Sequence, residues 1–294
     1  MRPLHIPNEF VGIHADMSAE QYHALQGASA SLLREYWQTT PAHALSSILA
    51  GKKPTPPMVK GTMIHSIMLE PGKPLDGLAV IPAEYYSETD KKNKPWHASS
   101  NTCKAWMRET VRRGLQPISQ SDYDDAANTA KAIATDPDAG PVFATGRGEL
   151  TVCCYHAPTD QGIRCRLDWV PDAEDSIFDI KACRDVSDRG FEREIWDRGY
   201  HIQGSLYLDV WNALAPVECR KNHFVFVAAE SKPPHCVRLF RLTDAMIELG
   251  RRAYTELLEV HAKCFRAKHW PGYPKGRKHV EPQPWQHAAQ TYIH

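Results

Sequence analysis

The sequence has no excess of either charge: 35 Lys and Arg stand against 35 Asp and Glu in 294 residues. A nucleic-acid partner would have to be held by a local basic patch, because the net field that steers such partners is missing. No apolar run approaches the roughly 18 residues that span a bilayer, and the opening MRPLHIPNEF lacks the basic-then-apolar order of a secretory leader. A cytoplasmic protein without a membrane partner is expected. The 8 cysteines include no CxxC pair, which removes zinc ribbons and compact iron–sulfur signatures. Several lie in apolar, strand-like runs, where a reduced thiol acts as a small buried hydrophobe. Internal repeats and low-complexity tracts are also missing.

What is there is ordinary for a folded protein, with 42% apolar and 24% charged residues and enough length to bury a substantial core. One domain over 1–294 is expected, its core at about 17–270 and its C-terminal tail, 271–294, flexible. Helical spacing marks residues 28–50, with Ser29 or Ser31 as cap and Pro41 as an interruption, and then 61–70 after the Lys- and Pro-rich GKKPTPPMVK. Residues 85–101 are polar and basic without periodicity and read as a mobile loop. A helical stretch around Ala126 to Ala134 ends at Pro137.

From Glu149 the period changes to two. LTVCCYH, IRCRLDWV and SIFDIKAC read as an antiparallel meander, followed by helices over 188–197 and 200–214, the strands HFVFVAAE and HCVRLFRL, and a helix over 243–268. This order predicts an α/β (α+β) fold, a mixed central sheet flanked by helices.

Period-two alternation puts Arg164, Arg166 and Asp168 on one face of their strand, and Asp179 and Lys181 on one face of the next. Adjacent strands would thus bring Asp168, Asp179 and Lys181 together. Paired carboxylates suit Mg²⁺, and a neighbouring ammonium can orient water and oppose charge developing on phosphorus. Alone, a D-x-K between apolar residues is a weak match, for which a strand-edge ion pair is the ordinary alternative. Other residues have ordinary readings too. His65 reads as a core histidine, Gln203 and Tyr207, four apart on a helix, as a rim and a core residue, and Glu149 as a surface carboxylate.

In combination the order GASASLLREYWQTTPAHAL, GTMIHSIMLEP, E-x-T, RCRLDWV, IFDIKA and YHIQGSLY resembles the RecE (exonuclease VIII)-like branch of the PD-(D/E)xK nucleases. The resemblance runs from about Met17 to Trp270. It implies a restriction-endonuclease-like core in which His65, Asp168, Asp179 and the main-chain carbonyl of Ile180 are metal ligands. Lys181 takes the catalytic lysine's role, and Gln203 and Tyr207 match the Q-x-x-x-Y motif that supports the site and contacts the DNA backbone. Glu149 is a weaker candidate. Two departures stand out: Leu167 precedes Asp168 where a proline often stands, and Ala182 and Cys183 replace a Thr pair after the lysine.

The implied activity is Mg²⁺-dependent hydrolysis of DNA, with Mn²⁺ able to substitute, in the 5′ to 3′ direction from double-stranded ends during recombination. The implied partners are duplex ends, further copies in a ring, and a single-strand annealing protein. Lys91, Lys92 and Lys94 beside Trp96, the tail KGRKH, and Arg164 and Arg166 on the predicted active face are the candidates for DNA contact. A solvated surface accounts equally well for the first two runs, and carboxylate pairing for the arginines. A same-fold endonuclease or single-strand exonuclease is the nearest rival, and a non-catalytic DNA-binding protein on the nuclease fold the second.

Overall fold

The computed structural model describes residues 4–50, 55–73, 75, 77–277, 279 and 281. In chain order its elements begin with β1 (Gly12–His14), α1 (Ala19–Ala24), α2 (Ala30–Gln38), α3 (Pro41–Ala50) and α4 (Pro56–Leu69). Then come β2 (Leu78–Val80), β3 (Glu84–Ser87), β4 (Lys92–Pro95), α5 (Asn101–Arg112), β5 (Gln116–Ile118) and α6 (Gln120–Thr135). The remainder is β6 (Gly146–His156), β7 (Gln161–Pro171), β8 (Ser176–Cys183), α7 (Asp188–Asp197), α8 (Tyr200–Leu214), β9 (His223–Glu230), β10 (Val237–Arg241) and α9 (Asp244–Ala267).

Side-chain caps start several helices: Ser29, Ser119, Ser187 and Thr243 each accept a backbone N–H from the first turn of α2, α6, α7 and α9. Pro41 opens α3 rather than merely interrupting a longer helix. α4 begins at Pro56, five residues before the expected start at Gly61, because a proline in the first turn gives up only an N–H that has no helical partner. Residues 51–54 of the expected loop and most of the 271–294 tail lie outside the described residues.

β1, β6, β7, β8, β9 and β10 form one six-stranded sheet in that order. β6, β7 and β8 are the antiparallel meander, and β8 pairs parallel to β9, so the sheet is mixed. Leu150, Val152, Cys165, Leu167, Ile177, Phe224 and Phe226 pack on one face against α2, α7, α8 and α9. On the other face Phe178, Ile180, Val225 and Val227 meet Met63 and Ile64 of α4 and Ala126 and Ile133 of α6. α8 is buried along most of its length. It lies so close to α9 that a Cβ on Gly250 would stand 2.2 Å from the His201 carbonyl oxygen.

The expectation of a mobile loop over 85–101 is corrected: β3 and β4 pair as an antiparallel hairpin there, and Trp96 meets Trp106 of α5 with ring centroids 5.4 Å apart. The strands are too short and polar to show alternation. Among the described residues no helix is long and apolar enough to cross a membrane.

Candidate active site

β8 pairs with β9 along its whole length, from Ser176 opposite His223 to Cys183 opposite Glu230. On its other side it meets β7 in register only at Trp169 opposite Phe178. Beyond that point the strands separate, and the backbone N–H of Ile180 donates to Asp168 Oδ2 at 2.8 Å. A side chain thus takes the place of a ladder bond. Across β6–β7, Gly148 opposes Trp169 and Leu150 opposes Leu167, which sets Glu149 across from Asp168 without a regular pair. Glu149 has φ 54°, uncommon for a residue with a Cβ.

His65 enters this notch from α4. Its Nε2 lies 3.2 Å from the Ile180 carbonyl oxygen and 3.5 Å from Asp168 Oδ2, and its Nδ1 lies 3.7 Å from Glu149 Oε1. One donor atom from each of His65, Glu149 and Asp168 falls within 4.8 Å of the others. Asp179 and Lys181 leave β8 toward the α8 layer, as the alternation predicts. Gln203 Nε2 of α8 donates to Asp179 Oδ1 at 2.6 Å, and the Lys181 ammonium pairs with Asp179 Oδ2. That oxygen is buried, with the ammonium as its partner. The ammonium also lies 5.0 Å from the centroid of the Tyr200 ring. Tyr207 packs in the core beside Phe224, and no hydrogen bond joins its hydroxyl to either carboxylate.

Burial raises the Asp168 carboxyl and Asp179 adds to the rise, so it reaches about 7 despite His65 and Lys181. Burial would lower the His65 imidazole, but Asp168 and Glu149 outweigh it and hold the group at about 9. Burial likewise pushes Glu149 up, while His65 and Arg166 bring it below the usual carboxylate range. Burial would lower the Lys181 ammonium, but Asp179 and Asp168 outweigh it and hold the group above its usual range.

Two carboxylates, an imidazole and a main-chain carbonyl around one point form an oxygen-rich donor set that suits a hard divalent cation. The PDDEXK-like domain of unknown function (DUF3799) matches residues 29–278, which include every residue of this notch. The chain belongs to that family. This makes it a member of the PD-(D/E)xK nuclease superfamily, and the mixed sheet flanked by helices is the expected core. A solved structure from Eubacterium rectale, described as a candidate exonuclease, is similar in fold, with a TM-score of 0.59 and 12% identity over 95% of this chain and 100% of that one. No curated protein matches the sequence.

Within this PDDEXK-like domain the proposed DNA contacts fare differently from the notch. Arg164 and Arg166 do share a face, as predicted, but both are engaged within the protein. Arg164 donates to the Tyr22 carbonyl and lies 4.5 Å from the centroid of its ring. Arg166 pairs with Glu149 and donates to the Met17 carbonyl at 3.0 Å. These arginines fasten the N-terminal segment over the sheet, and the carboxylate alternative describes Arg166 better than DNA contact does. Lys91 pairs with Glu88 at 3.1 Å and Lys94 with Asp90 at 2.6 Å, inside their own hairpin. Lys92 is exposed. Of the KGRKH tail, Lys278 is outside the described residues.

The alternation could not rank Glu149 above Asp179 as a neighbour of His65, because Glu149's left-handed backbone breaks the period. The E-x-T preceding the strand was its only signal. Nor did sequence single out Tyr200, whose ring lies under Lys181.

Proposed function

We propose that the chain is a divalent-metal-dependent deoxyribonuclease of the RecE-like type, digesting duplex DNA from its ends in the 5′ to 3′ direction during recombination. The observation that carries the reading is the convergence of His65, Glu149 and Asp168 beside the Asp179–Lys181 pair. His65, Glu149, Asp168 and the Ile180 carbonyl would hold the cation, and Asp179, paired with Lys181 through its Oδ2, would join them. Mg²⁺ is the proposed ion and Mn²⁺ its substitute; when bound, such an ion acidifies a water and polarises a phosphoryl oxygen.

The protein's own groups do the rest. Lys181 presents a charged ammonium beside the carboxylates, where it orients the attacking water and opposes the negative charge that grows on the phosphate oxygens. Gln203 holds Asp179 by one oxygen and leaves the other toward Lys181. Tyr207 backs this arrangement from the core. Assembly as a ring and cooperation with a single-strand annealing protein follow from the same RecE-like reading.

The test is digestion of linear and covalently closed circular duplex DNA with Mg²⁺, Mn²⁺ or EDTA, using 5′- and 3′-labelled ends and Asp179→Ala as control. Loss of linear DNA alone, from the 5′ end, dependent on metal and absent in the variant, is expected. Cutting of the circle would make the protein an endonuclease. Intact DNA with binding retained would leave a non-catalytic DNA-binding protein.

A further inference from the structure

Two tryptophans stand exposed where α2 meets the turn between α7 and α8. Trp37, near the end of α2, is 36% exposed and Trp196, near the end of α7, is 47% exposed, while His201 of α8 between them is fully buried. The His201 and Trp196 rings are parallel to within 10°, with centroids 5.0 Å apart. Trp37 is 5.4 Å from His201 and 5.5 Å from Trp196, at 78° and 87° to them. A ring equidistant from two parallel rings and perpendicular to both lies along the side of the stack. With His201 on one face of Trp196 and Trp37 at its side, the exposure of Trp196 falls mainly on its other face.

Fastening α2 to α7 does not call for an open indole, because Gln38 Nε2 already donates to the Asp197 carbonyl at 2.7 Å. The cluster's position gives the open face a use. Gly199, at φ 63°, turns the chain between α7 and α8, and a Cβ there would come 3.4 Å from Trp37 Cδ1 and 3.6 Å from Arg34 Cγ. The next residue is Tyr200, whose ring lies under the Lys181 ammonium. Burial raises the Tyr200 phenol, Lys181, Arg198 and Arg34 pull it back, and Glu194 adds to the rise, so three cations and one anion lie near this corner. Arg198 is 56% exposed and its partner Glu194 only 23% exposed. Arg34 has no ion-pair partner among the described residues.

We propose that the outer face of Trp196, backed by His201 and walled by Trp37, stacks an unpaired nucleobase of a DNA strand at the mouth of the site, with Arg34 and Arg198 facing that strand's phosphates. The proposal rests on the nuclease reading and adds the contact that receives the strand. An aromatic face accepts any base, so this contact favours unpaired DNA without selecting sequence.

The experiment measures binding of labelled oligothymidylate, and of an abasic strand of equal length, to the full chain in EDTA. Wild type is compared with Trp196→Phe, which keeps an aromatic face, and Trp196→Leu, which keeps apolar bulk alone. Trp196→Leu is expected to weaken oligothymidylate binding by roughly 5- to 150-fold, the range for loss of one base–aromatic stack. Trp196→Phe should fall between the two, and the abasic strand should bind all three proteins alike. Equal oligothymidylate affinity for all three, at unchanged thermal stability, would overturn the platform, and metal-dependent digestion by the same wild-type protein would leave the nuclease reading standing. If Trp196→Leu instead dissociates an oligomer in ultracentrifugation with DNA affinity unchanged, the face belongs to a second copy and the proposal falls. A wild type that neither binds nor digests DNA would remove both.

Discussion

Lys181 is held by neighbours of different kinds: the Asp179 carboxylate beside it, the Tyr200 ring beneath it and, more distantly, Phe226. Replacing it with Met keeps the length of the side chain and removes the charge. Under the proposed mechanism kcat should fall by about 10²- to 10³-fold, while affinity for DNA in EDTA changes far less; a variant turning over at the wild-type rate would remove Lys181 from the chemistry. His261 supplies a prediction of another kind. It is 2% exposed, its Nδ1 lies 2.8 Å from the Tyr36 hydroxyl, and burial lowers it from 6.5 to about 4. Because its folded pKa is depressed, the native state binds fewer protons than the unfolded chain between those values. Its contribution to stability is therefore full above about pH 6.5 and is lost as the pH falls toward 4, by up to about 3 kcal/mol. His261→Gln, which keeps an acceptor for Tyr36 and cannot titrate there, should flatten that limb of a urea-stability profile. A limb as steep as wild type's would locate the acid sensitivity elsewhere.

At the scale of elements, the α8–α9 crossing is fixed by Gly250. Gly250→Ala would drive a methyl into the His201 carbonyl and the Ser205 hydroxyl. Overpacking of this kind costs on the order of 1–3 kcal/mol, against which the better helix propensity of Ala returns roughly 1. Tm should fall by up to about 3 °C, and an unchanged Tm would mean that the helices can slide apart. The same scale explains what could be read in advance. α7 and α9 were legible because their burial is one-sided, and the meander and α8 because their apolar runs survive over many residues. β3 and β4 were not, since a four-residue polar strand alternates nothing. β1 was missed for a similar reason: Gly12, Ile13 and His14 are each only half-buried. In the site, Asp179 and Lys181 follow the alternation. The arrangement around Asp168 does not, because β7 leaves β8 there and the carboxylate turns into the gap to meet the Ile180 N–H.

For the whole molecule, the proposed cation should act as a folding ligand. An ion that binds only the native chain, at 100 times its Kd, stabilises it by about 2.7 kcal/mol. Addition of Mn²⁺ should thus raise Tm, EDTA should reverse the rise, and the double variant His65→Ala, Asp168→Asn should not respond. A response undiminished in that variant would place the ion elsewhere. A last feature is the pairing of β2 with β5, which lie side by side and parallel, Leu78 opposite Gln116 and Val80 opposite Ile118. Everything from Ile81 to Leu115 leaves and returns through that short clasp, whose departure and re-entry points are roughly 8 Å apart by strand geometry. None of the three apolar clusters takes a residue from this detour, and neither does the notch. The geometry predicts that the detour can be exchanged: a short loop from Val80 to Gln116 should leave a protein that still folds and gains Tm with Mn²⁺. Lineages of this fold could rewrite those residues, with lysines and tryptophans of their own, while the chemistry next door stayed where it is.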